Sequence, residues 1–127
     1  MNEINLNFLE LKTFTEQDAS DYCQINNINI KDITELHLDN NELTDISGIK
    51  LFKNLEYLDI KNNQIKDISV IQYLKKLEGL YITNLRLESD QILYINSHKK
   101  LYELYGGNGF KDMSVLDKLN INIDFSY

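Results

Sequence analysis

Three carboxylates recur beside a hydroxyl in this chain, as Asp45-Ile46-Ser47, Asp67-Ile68-Ser69 and Asp112-Met113-Ser114. Acids in register are the raw material of a cation site or a general acid–base pair, provided that two of them meet in one cleft. Their spacing argues otherwise. The first two lie a full repeat apart, on successive coils, where an Asp or Ser caps a short helical segment. Gly106-Gly107-Asn108-Gly109 has the glycine content of a phosphate loop but lacks the G-x-x-x-x-G-K-[ST] spacing. Its glycines suit a repeat shortened by one residue, where the backbone bends tightly. His37, His98 and Cys23 fall on three different elements, so no zinc centre is expected, and Cys23 reads as a small buried hydrophobe. There is no G-x-S-x-G elbow either. The sequence predicts no catalytic residue, no metal site and no cofactor, and hence no enzyme.

A fixed period explains the spacing of these residues. Residues 33–54, ITELHLDNNELTDISGIKLFKN, and 55–76, LEYLDIKNNQIKDISVIQYLKK, are successive blocks of 22 residues. Apolar residues occupy the same offsets in both: Ile33, Leu36, Leu38, Leu43, Ile46, Ile49 and Phe52, then Leu55, Leu58, Ile60, Ile65, Ile68, Ile71 and Leu74. Asn41 and Asn63 also coincide, giving the pattern L-x-x-L-x-L-x-x-N-x-L. The L-x-L unit predicts a short strand with Leu36 and Leu38 inward and Glu35, His37 and Asp39 outward. A buried Asn satisfies backbone groups where the chain turns away. Apolar residues spaced by three then line a short helical or 3₁₀ return segment. One such coil cannot bury its own face, so coils stack into a continuous core.

The period drifts after that. Residues 77–100 form a block of 24 in which Leu85 replaces the Asn, and the extra residues predict a helix within Glu88 to Lys100, carrying Ile92, Leu93 and Ile95. The next block, LYELYGGNGFKDMSVLDKL, matches with one residue deleted, which assigns Asn108 the ladder role. A last strand in NINIDFSY closes the stack, with either Ile121 and Ile123 or Ile123 and Phe125 inward. Residues 1–30 show no repeat. Thr13-x-x-Glu16 is a capping-box candidate, and Ala19, Tyr22 and Cys23 share a helical face that Asn26-Asn27 ends, so this segment reads as an N-terminal cap on a solenoid spanning 31–127 with about four repeats.

The stretch NNELTDISGIKLFKNLEYLDIKNNQIKDIS resembles the leucine-rich repeats of bacterial internalins and of eukaryotic phosphatase regulators, closely over residues 30–83 and loosely beyond. The resemblance implies an α/β leucine-rich-repeat solenoid. In such a fold a parallel sheet lines the concave face, return segments line the convex face, and the sheet grips protein ligands.

By the repeat alignment the outward strand positions are Glu35, His37 and Asp39; Tyr57, Asp59 and Lys61; Gly79, Tyr81 and Thr83; and Glu103, Tyr105 and Gly107. Apart from the two glycines, these are the expected partner-binding residues. Tyr81 and Tyr105 share one row with Asp59 and His37, and tyrosine supplies contact area at low entropy cost. The net charge of −7 excludes phosphate neutralisation, and with it direct nucleic-acid binding, and disfavours anionic membranes, but it suits a basic protein partner. A lone cysteine, no basic leader in Met1 to Glu10 and no apolar run of membrane length predict a cytoplasmic protein. The expected role is an inhibitor or immunity-type protein covering a toxin or nuclease, in the manner of an anti-CRISPR. The alternatives are a regulatory or scaffold subunit of a host enzyme, or a truncated internalin-like adhesin.

Overall fold

The computed structural model describes residues 2–127. Six parallel strands form one sheet in chain order: β1 (Glu3–Asn5), β2 (Glu35–His37), β3 (Tyr57–Asp59), β4 (Gly79–Tyr81), β5 (Glu103–Tyr105) and β6 (Asp124–Ser126). From β2 onward the first strand residues, Glu35, Tyr57, Gly79, Glu103 and Asp124, pair in register at steps of 22, 22, 24 and 21 residues. Each strand turns its middle residue inward, so Ile4, Leu36, Leu58, Leu80, Leu104 and Phe125 make one row. Leu38, Ile60 and Ile82 add a second row with no exposure. Every such Leu or Ile withdrawn from water contributes about 1.5–3 kcal/mol.

The return sides are 3₁₀ segments at Ser47–Leu51, Ser69–Tyr73 and Met113–Lys118. The longer third coil holds a 3₁₀ turn, Ser89–Gln91, followed by helix α2 (Ile92–Asn96). The expected helix is there, with Ile92 and Ile95 buried and Leu93 65% exposed. The recurrent aspartates hold these segments: Asp45, Asp67 and Asp112 accept the backbone N–H of Ser47, Ser69 and Ser114 at 2.9, 2.8 and 3.0 Å.

At the turn after the strand, Asn41 and Asn63 are buried and saturated. Asn63 Oδ1 accepts from Leu43 N–H at 3.0 Å, and its Nδ2 donates to the carbonyls of Leu38, Ile60 and Lys61. Asn41 bonds Leu9 and Leu11 N–H and the carbonyls of Leu6, Leu38 and Asp39 in the same manner. Strand register places Gly109, not Asn108, at this position in the fourth repeat, because the deleted residue falls after the turn. Asn108 is exposed instead. Gly109 does the work with its main chain: its carbonyl accepts Leu87 N–H at 2.8 Å, as Asn63 Oδ1 accepts Leu43 N–H. The glycine cluster is there for close packing rather than for bending, since no glycine has a positive φ and a Cβ at Gly106 or Gly109 would press on the Ile82 side chain.

A second asparagine ladder runs beside the first. Asn40, Asn62, Asn84 and Asn108 all adopt left-handed backbone, φ 55 to 63°, a conformation asparagine tolerates better than most residues. Asn62 Nδ2 donates to Asn40 Oδ1 at 2.8 Å and Asn84 Nδ2 to Asn62 Oδ1 at 2.7 Å.

The N-terminal segment hides a coil of its own. Ile4-x-Leu6 repeats the Leu36-x-Leu38 unit, and β1 pairs with β2 as Glu3↔Glu35, Ile4↔Leu36 and Asn5↔His37. Its return element is helix α1 (Glu16–Ile25), with Ala19 and Cys23 buried. The capping box is Thr15 with Asp18, not Thr13 with Glu16; Thr13 lends its hydroxyl to Asp18 Oδ2 at 2.9 Å. Phe14 stacks on Phe52 at 6.1 Å, and a Cβ on Gly48 would collide with the Phe14 and Thr15 carbonyls, so this glycine lets the first coil close on the second. At the far end Ile123 is buried and Phe125 pairs with Leu104, while Ile121 is 95% exposed, which fixes the closing register.

Candidate functional site

The outer face of the sheet carries three rows of side chains. Glu3, Glu35, Tyr57, Gly79, Glu103 and Asp124 form the first, and Asn5, His37, Asp59, Tyr81, Tyr105 and Ser126 the second. Asp39, Lys61 and Thr83 follow the strands as the third. All ten expected binding residues lie on this face. Eight are half-buried, but Asp39 and Asp59 are only 4% and 6% exposed, a correction to their reading as solvent-facing. They point away from the apolar core and are roofed by their own neighbours. Lys61 Nζ sits 2.5 Å from Asp59 Oδ2 and 3.7 Å from Asp39 Oδ2. Burial opposes the charge of Lys61, yet the hydrogen bond and charge of Asp59, with Asp39 and Tyr81 behind them, hold its pKa above the usual lysine value. Asp59 also accepts Lys61 N–H at 3.1 Å.

The aromatic part is a stack. Tyr81 and Tyr105 lie 4.4 Å apart and 8° from parallel, an arrangement worth about 0.5–1.5 kcal/mol beyond its buried area. Tyr105 O–H donates to Glu103 Oε2 at 2.7 Å, which pushes its phenol up to about 12. Burial, then the charges of Glu103, Asp59 and Glu35, raise the Tyr81 phenol as well. Both rings therefore stay neutral donors at physiological pH. Tyr57 lies across Gly79, where a Cβ would meet its ring at 2.7 Å, so the glycine gives Tyr57 its place.

At the β1–β2 end, His37 is ringed by acids. Its Nε2 is 3.1 Å from Glu3 Oε1 and 3.5 Å from Glu35 Oε1; its Nδ1 is 4.0 Å from both Asp39 Oδ1 and Asp59 Oδ2. Among the described residues, Glu3–Glu35–His37 and His37–Asp39–Asp59 are the groups with metal-ligand proximity. Glu3, Asn5 and Asp124 escaped the sequence reading because strands β1 and β6 were not placed in register with the repeats; the Ile4-x-Leu6 alternation was the available signal. Cys23 and His98 take no part. Cys23 is buried on α1 with its thiol pKa raised by burial. His98 follows α2, pairs Nε2 with the Leu74 carbonyl at 2.7 Å and accepts Lys100 and Leu101 N–H at Nδ1. No helix among the described residues is long and apolar enough to cross a membrane.

Comparison with known proteins agrees with this architecture. No curated protein matches the chain, whereas eighteen chains of solved structures do. An internalin, InlF, from Listeria monocytogenes superposes with a TM-score of 0.62 at 27% identity, over 76% of this chain. The match spans only 28% of that internalin's length. The model of leucine-rich repeats matches twice, over residues 31–73 and 53–125. With those matches covering most of its length, the chain belongs to the leucine-rich-repeat family.

Proposed function

We propose that the chain is a protein-binding module that grips a locally basic partner on its outer sheet face, as an inhibitor or immunity-type protein does. The observation carrying this reading is the Tyr81–Tyr105 stack set among acids. Glu35, Glu103 and Asp124 flank it, with Glu3 at the far edge, and Lys61, the cation of these rows, is already engaged by Asp59 and Asp39. Flat, neutral tyrosines supply contact area, and the acids around them, which outnumber the cations of these rows, steer a cationic surface onto them. In this reading residues 1–30 cap the solenoid edge, and the single buried thiol suits a reducing cytoplasm. The internalin likeness favours a second reading, a fragment of a surface adhesin.

Comparative capture tests the proposal. Tagged wild type, a sheet-face variant (Tyr81→Ala with Tyr105→Ala) and a return-side variant (Lys53→Glu with Lys75→Glu) are exposed to lysate of the native cell and to its culture medium. The proposal expects a basic protein retained by wild type and the return-side variant and lost by the sheet-face variant, from lysate. Retention by the sheet-face variant would refute it, and a partner found only outside the cell would favour the adhesin.

A further inference from the structure

We propose that His37 is the centre of a divalent transition-metal site on the β1–β2 end of the sheet, with Glu3 and Glu35 as co-ligands and Asp39 and Asp59 behind the ring. Three independent features point there. First, the spacing fits. Nε2 lies 3.1 and 3.5 Å from the two glutamate oxygens, close to the separation of about 3.3 Å between ligands that each sit about 2.0–2.1 Å from a tetrahedral zinc. Second, the polar atoms are unsatisfied. His37 Nε2 and Asp39 Oδ1 are both inaccessible and without a hydrogen-bond partner, although Asp39 is 4% exposed and its other oxygen is bonded to Asn40. Buried polar atoms are rarely left so. An ion on Nε2 removes the first vacancy. It also fixes the tautomer with the proton on Nδ1, which then faces Asp39 Oδ1, 4.0 Å away, so an ångström of ring movement removes the second. A carboxylate behind a ligating histidine is the usual orienting partner in such sites. Third, the charge calls for a cation: four carboxylates surround one imidazole, and Lys61 reaches Asp39 and Asp59 but is not among the partners of Glu3 or Glu35.

The imidazole selects the ion class. Calcium and magnesium take oxygen ligands, whereas one nitrogen with carboxylates suits zinc or cobalt. Glu3 and Glu35 are nearly half exposed, which leaves the ion open to the groove. The site owes nothing to the identity of any partner protein.

The test is titration of the full chain, stripped with chelator, with zinc by calorimetry and with cobalt by visible absorption. One ion per chain is expected. His37→Gln and Glu35→Gln should each weaken zinc more than about tenfold, Asp39→Asn by about tenfold, in the range seen for orienting partners. His98→Gln should bind as wild type. Thermal melts report whether each variant folds; half-exposed Glu35 keeps the test informative should His37→Gln unfold. No binding at millimolar metal, wild-type affinity in folded His37→Gln or Glu35→Gln, or calcium binding as tightly as zinc would each overturn the proposal.

Discussion

Replacing Asn63 by alanine removes a side chain that ties two successive coils together. Its four hydrogen bonds reach Leu43 N–H and the carbonyls of Leu38, Ile60 and Lys61. The Lys61 carbonyl keeps a partner, because it also accepts Asn40 N–H at 3.0 Å, and so does the Leu38 carbonyl, which accepts Asn41 Nδ2 at 2.9 Å. Leu43 N–H and the Ile60 carbonyl are then left in a cavity the size of the lost amide. Each orphan costs about 1–3 kcal/mol, and the lower figure applies because Asn63 is 9% exposed and water can enter beside it. The sum is about 2 kcal/mol. For a chain of 127 residues this lowers the melting temperature by about 6–8 °C, at about 3–4 °C per kcal/mol. Thermal denaturation followed by far-ultraviolet circular dichroism measures the shift, and urea titration gives the free energy directly. A midpoint within about 2 °C of wild type would mean that water replaces the ladder without cost, and the account of the turn would fail.

Other perturbations probe other parts of the fold. Gly48→Val, which copies Val70 one coil on, should force α1 off the second coil at a cost of about 2 kcal/mol; wild-type amide exchange in α1 would contradict this. Asn62→Ala should destabilise more than Asn62→Gly, by about 1 kcal/mol, since only alanine resists φ 55°; equal urea midpoints would refute that ordering. Burial holds the His98 pKa below its usual 6.5, so the unfolded chain takes up a proton that the folded ring resists. Stability should therefore fall as pH drops through 6.5 and level off below the folded value, and His98→Gln should lose this slope. Parallel pH profiles for the two proteins would refute the assignment.

The repeat made most of the fold legible. Leu36, Leu58, Leu80 and Leu104 stand in register because they recur at matching offsets, and the outward residues between them could be named from alternation alone. Three things were not legible, each for a physical reason. Strand β1 was missed because its coil is 32 residues long, with α1 in place of a 3₁₀ turn, so Glu3↔Glu35 obeys no visible period. The burial of Asp39 and Asp59 was missed because alternation tells which way a side chain points, not what lies over it; Lys61 and His37 supply the roof. The ladder role fell to Asn108 by residue type, whereas Gly109 performs it with a backbone carbonyl, which leaves no mark on side-chain chemistry. The closeness of Glu3 to His37 escaped for the same reason as the strand that carries it.

Binding strength as a function of face and salt tests the central claim most directly. With the captured partner in hand, its dissociation constant is measured at about 0.1 M and 1 M salt, where the Debye length falls from about 10 to 3 Å. The comparison covers wild type, Tyr81→Ala, Glu103→Lys and Lys53→Glu. Asp59 is left alone, since its burial beside Lys61 would confound binding with stability. The account predicts at least about a tenfold loss for Tyr81→Ala, a loss for Glu103→Lys that shrinks as salt rises, and wild-type affinity for Lys53→Glu. Undiminished binding by Tyr81→Ala and Glu103→Lys, with loss in Lys53→Glu, would contradict it and move the binding surface to the return side of the solenoid.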